Sequence, residues 1–320
     1  MIKIMSLKNL LNKYLITKLL FISVVYFFYN HTVLALEGKI IIKIENEIIT
    51  NIDIENEKIY LRVLNPSLIN IDEENLYTIA KNSLIREKIK LIEISKHKLN
   101  KIDDKYLEEV IKSIYSRIEI KNKKDFINHI ESYGLSLALL EKKLTYEALW
   151  NQLVYKKYFS KVKIDTEKIK KDILSNKNMS KNYLLSEIVY NVDKKDQGKK
   201  IEKKINDSIK NIGFENTASI FSVSESSKTG GKLGWIDEGA LNNEIKKRIT
   251  NLKIGEITEP IIVPGGFLIL KIEDIKETEK KIDINAELEN RIIFLQNVQL
   301  NQFSNIYFMK IKKDFLINEK

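Results

Sequence analysis

The chain has 320 residues, 43% hydrophobic and 31% charged, a balance that belongs to a folded protein with a real core and about two domains. It excludes a disordered chain, a collagen-like repeat and a multi-span membrane protein. The formal charge is +10 and cysteine is absent, so disulfides, thiolate metal sites and thiol nucleophiles are excluded as well.

Residues 1–18 hold Lys3, Lys8, Lys13 and Lys18 and no acid, and the apolar run Leu19 to Tyr29 follows. This layout predicts a secretory signal over 1–35, cut after Ala35, because so short a run falls well below the roughly 20 apolar residues of a membrane-spanning helix. An uncleaved anchor extended back through Leu10 to Ile16 is the alternative, and Lys13 and Lys18 interrupt it. Either way the body is exported. Cleavage removes four lysines and no acid, so the mature chain is only mildly basic. The run Lys121-Asn122-Lys123-Lys124 has no interleaved aromatics and reads as solvated surface, not as a nucleic-acid face.

Residues 39–50 predict a strand, or a hairpin turning at Glu45-Asn46. Thr50 with Asp53 forms a capping box, and the helix it starts must stop near Pro66. From Asp72, the spacing of Leu76, Ile79, Ala80, Leu84, Ile85, Ile89 and Ile92 predicts an amphipathic helix of about six turns. Helices over 103–118, 125–133 (ended by Gly134), 136–162 and 166–175 complete a helical module with one β element. After residue 178 the texture changes. A strand over 183–192, helices over 200–212 and 214–222, a glycine-bearing loop over 224–234 leading to Trp235, and a helix over 241–252 come first. The segment 260–263, a turn at Pro264-Gly265-Gly266 and a strand over 267–272 finish an α+β unit in the order β-α-α-β-α-β-β. The stretch 284–308 reads as a helix and 307–317 as a strand. Phe303, Tyr307 and Phe308 return this end to the helical module.

Five blocks in 183–275 resemble the parvulin domain of peptidyl-prolyl cis-trans isomerases: Ser186-Glu187-Ile188-Val189; Phe214 with Ala218 and Ser222; Gly230-Gly231-Lys232-Leu233-Gly234-Trp235; residues 252–261; and Gly266-Phe267-Leu268-Ile269-Leu270-Lys271-Ile272. The flanks resemble the SurA-type periplasmic chaperone, in residues 46–57, the Tyr133-Gly134-Leu135 turn and the returning C-terminal helix. The resemblance implies an α+β fold, a SurA-like helical core module carrying one inserted parvulin domain with an antiparallel sheet. The implied domains are the signal over 1–35, the module over 36–178, the parvulin domain over 179–277, and a C-terminal helix and strand over 278–320 that pack on the module. The implied compartment is the periplasm.

Such a site makes no bond. An X–Pro amide rotates over a barrier of roughly 18–20 kcal/mol, and catalysis needs only preferential binding of the twisted amide. Carried over position by position, the family's proline pocket falls on Leu241 and Ile245 with Phe267 nearby. Its Cys or Asp position falls on Ser224, and its two histidines on Glu187 and Leu268. No histidine lies between 179 and 277, and His97 and His129 read as surface or interface residues. The substitution implies weak or lost isomerase activity, with Glu187 either a new acid or the remnant of a site that only binds.

Two functions compete. One is a periplasmic prolyl isomerase; the other is a chaperone for unfolded or extended polypeptides, outer-membrane β-barrel proteins above all. A homodimer made through the apolar face of the module is a third reading. No P-loop, HExxH or Ser–His–Asp pattern is present, so no cofactor, metal or nucleotide is expected and action is ATP-independent. No nucleic-acid partner and no stable membrane span after signal cleavage are expected either.

Overall fold

The computed structural model describes residues 37–118, 120–175, 179–192, 198–279 and 283–319. The signal read over 1–35 and its cleavage after Ala35 lie outside the described residues. Among the described residues no helix is long and apolar enough to cross a membrane.

The first elements are a hairpin of β1 (Ile40–Ile44) and β2 (Glu47–Thr50), with Glu45 at φ 49° in the turn. Inward Ile42, Ile44 and Ile49 are fully buried. Thr50 closes the capping box on Asp53 and starts α1 (Asn51–Leu64), which stops before Pro66 and passes into a 3-10 turn, Pro66–Asn70. Helix α2 (Glu73–Lys96) is capped by Asp72 and buries Leu76, Ile79, Ala80, Leu84, Ile85 and Ile89 on one face. Helices α3 (Asp104–Arg117), α4 (Lys123–Ser132), α5 (Leu137–Tyr158) and α6 (Thr166–Ser175) follow. One apolar cluster joins α1, α2, α4, α5 and the hairpin around Trp150, Tyr60 and Phe126.

The second layer is a four-stranded antiparallel sheet in the order β4-β3-β6-β5, built from β3 (Met179–Tyr190), β4 (Lys232–Asp237), β5 (Ile261–Val263) and β6 (Gly266–Glu279). Helices α7 (Gly198–Ile212) and α8 (Phe214–Phe221) cover one face with Ile205, Phe214 and Ala218. The expected order of elements is present, with local differences. Strand β4 begins at Lys232, inside the stretch read as loop. The third helix is short, α9 (Asn243–Ile249), because a 3-10 turn, Glu238–Ala240, occupies the chain before it and Asn242 caps it. Ile212, the last residue of α7, packs on the core of the helical module, whereas Ile205 lies under the sheet. The stretch 307–317 is not a strand: α10 (Ile284–Lys312) runs through Tyr307, Phe308 and Ile311, whose 3 and 4 spacing buries all three on one helical face. Only β7 (Ile317–Glu319) is extended. It pairs antiparallel with β1 and makes the order β2-β1-β7.

Residues Ile40–Lys320 form one compact unit. Where the two layers meet, the Asn65 amide donates to Ser219 Oγ at 3.2 Å and Ser67 Oγ donates to Asn216 Oδ1 at 3.0 Å. At the far side, α10 lays Phe294 against the apolar cluster that contains Leu268 and Leu270.

Candidate functional site

Side chains on β3 alternate between faces. Leu185 and Val189 point to the cluster that also holds Leu268, Leu270 and Ile272, while Ile188 and Tyr190 point to the face under α7 and α8. Glu187, between Leu185 and Val189, therefore shares the first face. Its strand partner is Leu270, and Val189 pairs with Leu268, which places the two histidine-equivalent positions diagonally on one face.

The segment after α8 is sewn to β3. Val223 N–H donates to the Val189 carbonyl at 2.7 Å, and Ser222 Oγ accepts from Val189 N–H at 3.0 Å and from Ser224 N–H at 3.3 Å. A 3-10 turn, Glu225–Thr229, then leads into Gly230-Gly231 and β4. Gly231, at φ +81°, lies against the Glu187 carbonyl so closely that any Cβ would collide with it, and its own carbonyl accepts from Glu187 N–H at 2.8 Å. That contact is why the glycine pair stands there.

The result is a three-residue polar cluster. Ser224 Oγ donates to Glu187 Oε1 at 2.6 Å, Ser226 Oγ donates to the same oxygen at 2.8 Å, and the two hydroxyls are 3.1 Å apart. Burial pushes the Glu187 carboxyl up from its ordinary range, opposed by the two donated hydroxyls. Ser226 was not among the residues read from the sequence; its position two beyond Ser224, in a turn tight enough to bring both hydroxyls to one acceptor, is the signal that points to it.

Leu268 is 7% exposed and belongs to the apolar cluster, so that position offers no hydrogen-bonding side chain. Leu241 and Ile245 pack half-buried on the same cluster. Phe267 does not join them: it lies on the opposite face, stacked on Tyr190 at 5.5 Å, because adjacent strand residues point apart. The Tyr190 hydroxyl is pushed up to about 12, chiefly by burial. The structure thus brings Glu187, Ser224, Leu268, Leu241 and Ile245 to one face and removes Phe267. His97 lies 3.3 Å from Glu93 and His129 sits against Tyr133, both far along the chain from this face.

A second feature lies in the helical module. A cleft of about 590 Å³ opens between the start of α3, the middle of α5 and α10. Its floor is Ala148, Val154, Leu300 and Ser304, its lips carry Asn151, Gln152, Asn297 and Asn301, and Tyr106 and Tyr155 stand at its rim, 46% and 49% exposed. Tyr155 stacks on Phe159 at 4.4 Å. None of these residues was singled out in the sequence, since α3, α5 and α10 meet only in the folded chain.

Residues 187–274 match the family model of the rotamase described as the PPIC-type PPIASE domain. The chain carries a PpiC-type domain. The chain is similar to the chaperone SurA of Pseudomonas putida, 26% identical over 151 residues, covering 44% of this chain and 35% of that protein. It is also similar to the chaperone SurA of Idiomarina loihiensis, 25% identical over 239 residues and covering 72% of this chain and 55% of that one. The foldase protein PrsA of Oceanobacillus iheyensis is 33% identical over 72 residues, 21% of this chain and 24% of that protein. The matches to the two SurA proteins thus span about half or less of those relatives' length. Among solved structures, a SurA-like chaperone of Campylobacter jejuni aligns over 88% of this chain and 99% of its own, at 17% identity and a TM-score of 0.34. PrsA of Bacillus subtilis aligns over 86% and 92%, at 20% identity and a TM-score of 0.26.

Proposed function

We propose that the protein is an ATP-independent folding factor of the SurA type, working in the periplasm on unfolded or extended polypeptides, outer-membrane β-barrel proteins among them. The observation that carries this reading is the amide-lipped cleft between α3, α5 and α10. Side-chain amides both donate and accept, so Asn151, Gln152, Asn297 and Asn301 suit the backbone of any extended client, and Tyr106 and Tyr155 offer flat apolar surface to its side chains. No readout of client sequence is built in.

In this reading the PpiC-type domain retains weak isomerase activity or none. Glu187 Oε1 is already occupied by two hydroxyls, and Leu268 supplies no polar group. The test is suppression of aggregation of an unfolded β-barrel protein by the chain and by Asn301→Trp, which blocks the cleft from its lip. Full suppression by that variant sinks the assignment of the cleft.

The second reading, an active prolyl isomerase, is favoured by the half-buried pair Leu241 and Ile245 on the face of Ser224 and Ser226. Cis/trans exchange of a short Xaa-Pro peptide, followed by NMR, decides between them: acceleration that Leu241→Ala abolishes establishes the isomerase, and no acceleration removes it.

A further inference from the structure

The turn that carries Ser224 and Ser226 has a second side. Between them, Glu225 points away from Glu187 and into the helical module, where its carboxylate pairs with Lys90 of α2 and lies 3.7 Å from Lys228. Lys228 in turn pairs with Glu147 of α5. Arg86, one turn before Lys90, donates to three successive carbonyls of the same segment: Ser222 at 3.1 Å, Val223 at 3.1 Å and Ser224 at 3.2 Å. Burial works against the Glu225 carboxylate, but Lys90, Lys228 and Arg86 outweigh it and hold the group well below its ordinary range. Three consecutive residues are therefore committed in two directions, and consecutive Cα atoms about 3.8 Å apart cannot move independently.

The module side continues to the cleft. The Lys90 ammonium stands over the Trp150 ring, 5.1 Å from its centroid, and the Trp150 indole N–H donates to Ser304 Oγ at 2.8 Å. Ser304 lines the floor of the cleft. From Ser304 through Trp150 and Lys90 to Glu225 each step is a side-chain contact, the backbone joins Glu225 to Ser224 and Ser226 on either side, and Trp150 is fully buried. Buried charges on such a path have few alternative partners, so a shift at one end has discrete consequences at the other.

We propose that this chain of contacts couples the helical cleft to the Glu187 cluster, so that what occupies the cleft sets whether the Ser224 and Ser226 hydroxyls stay committed to Glu187. The proposal rests on the reading of the cleft as the client site. Its consequence is regulation of the PpiC-type site by a client held elsewhere on the same chain, with Lys90 and Trp150 as positioning residues.

Spatial continuity alone does not establish coupling, whereas a double-mutant cycle does. The full chain, Ser304→Ala, Glu187→Gln and the double variant are compared by urea unfolding, with no client and no Xaa-Pro substrate present. Ser304 and Glu187 share no contact, so independent effects on the unfolding equilibrium constant simply multiply. The expected result is a departure from multiplication of about threefold or more, removed when Ser304→Thr, which keeps a hydroxyl, replaces Ser304→Ala. Multiplication within that limit overturns the proposal. If Ser304→Ala does not fold, Lys90→Gln takes its place in the same cycle, with the same two outcomes. Because neither client binding nor isomerisation is read, failure here is distinct from failure of the folding-factor reading.

Discussion

Arg291 of α10 donates to Asp237 Oδ1, at the end of β4, at 2.8 Å, and its guanidinium fills the space that a Cβ at Gly239 would need. The side chain is 4% exposed, and Nε donates to Glu287 at 2.8 Å. This is a buried arginine tying the C-terminal helix to the edge of the sheet. Truncation removes a buried cation that pairs with both acids, so Arg291→Ala is expected to cost about 2–3 kcal/mol, less than a fully enclosed pair because Asp237 and Glu287 keep some water. Urea unfolding measures it; a loss under half of that makes the contact ornamental.

Glu187→Gln is expected to stabilise the protein at pH 7 by a few tenths to about 1 kcal/mol. Burial raises the folded-state pKa of this carboxyl above its unfolded value, so the folded protein holds its proton more tightly and loses stability as pH rises through that window. A glutamine is neutral throughout, and its oxygen still accepts from Ser224 and Ser226. A variant less stable than the parent at pH 7, yet equal to it at pH 4, contradicts the assignment.

Lys90 carries the opposite titration. Its ammonium is pushed down to about 8 by burial, with Glu225 opposing, against 10.5 for a free lysine. Between these values the unfolded chain keeps a proton that the folded chain has released, so this group's contribution to stability rises with pH. The parent is expected to gain about 1–2 kcal/mol relative to Lys90→Gln between pH 8 and 9.5. Parallel stability curves for the two proteins refute it.

Leu268→His restores the family's residue type at one position and is expected to cost about 2 kcal/mol without accelerating Xaa-Pro exchange. The site is apolar and closed, and its neighbour Glu187 is held by two serines. Exchange well above the uncatalysed rate in this single variant overturns that expectation.

Local signals were legible in the sequence. The Thr50–Asp53 capping box, the helix-breaking Pro66 and the glycine turns each act within a few residues, and each stands where expected. The element order of the sheet domain was legible for the same reason. Apolar density misled at Tyr307, Phe308 and Ile311, whose 3 and 4 spacing is helical and decides the matter. Strand alternation also separates Phe267 from Leu268, whereas the family pattern places both near the site. The latch of Arg86, Lys90 and Glu147 on the 222–228 segment was not legible, because its partners are 81 to 138 residues apart and each lysine or glutamate looks like any other in so charged a chain. The cleft was hidden likewise: asparagines on α5 and α10 acquire a common wall only after the helices cross.

The pairing of β7 with β1 joins Ile44 to Ile317. Ile44 and Ile317 are far apart along the chain, so closing this pair costs more loop-closure entropy than any pairing within the sheet domain. The sheet domain, whose strands all lie within Met179–Glu279, closes on itself earlier. The expected order is that the sheet domain closes first and the β1–β7 seam, with the longer loop to close, forms after it.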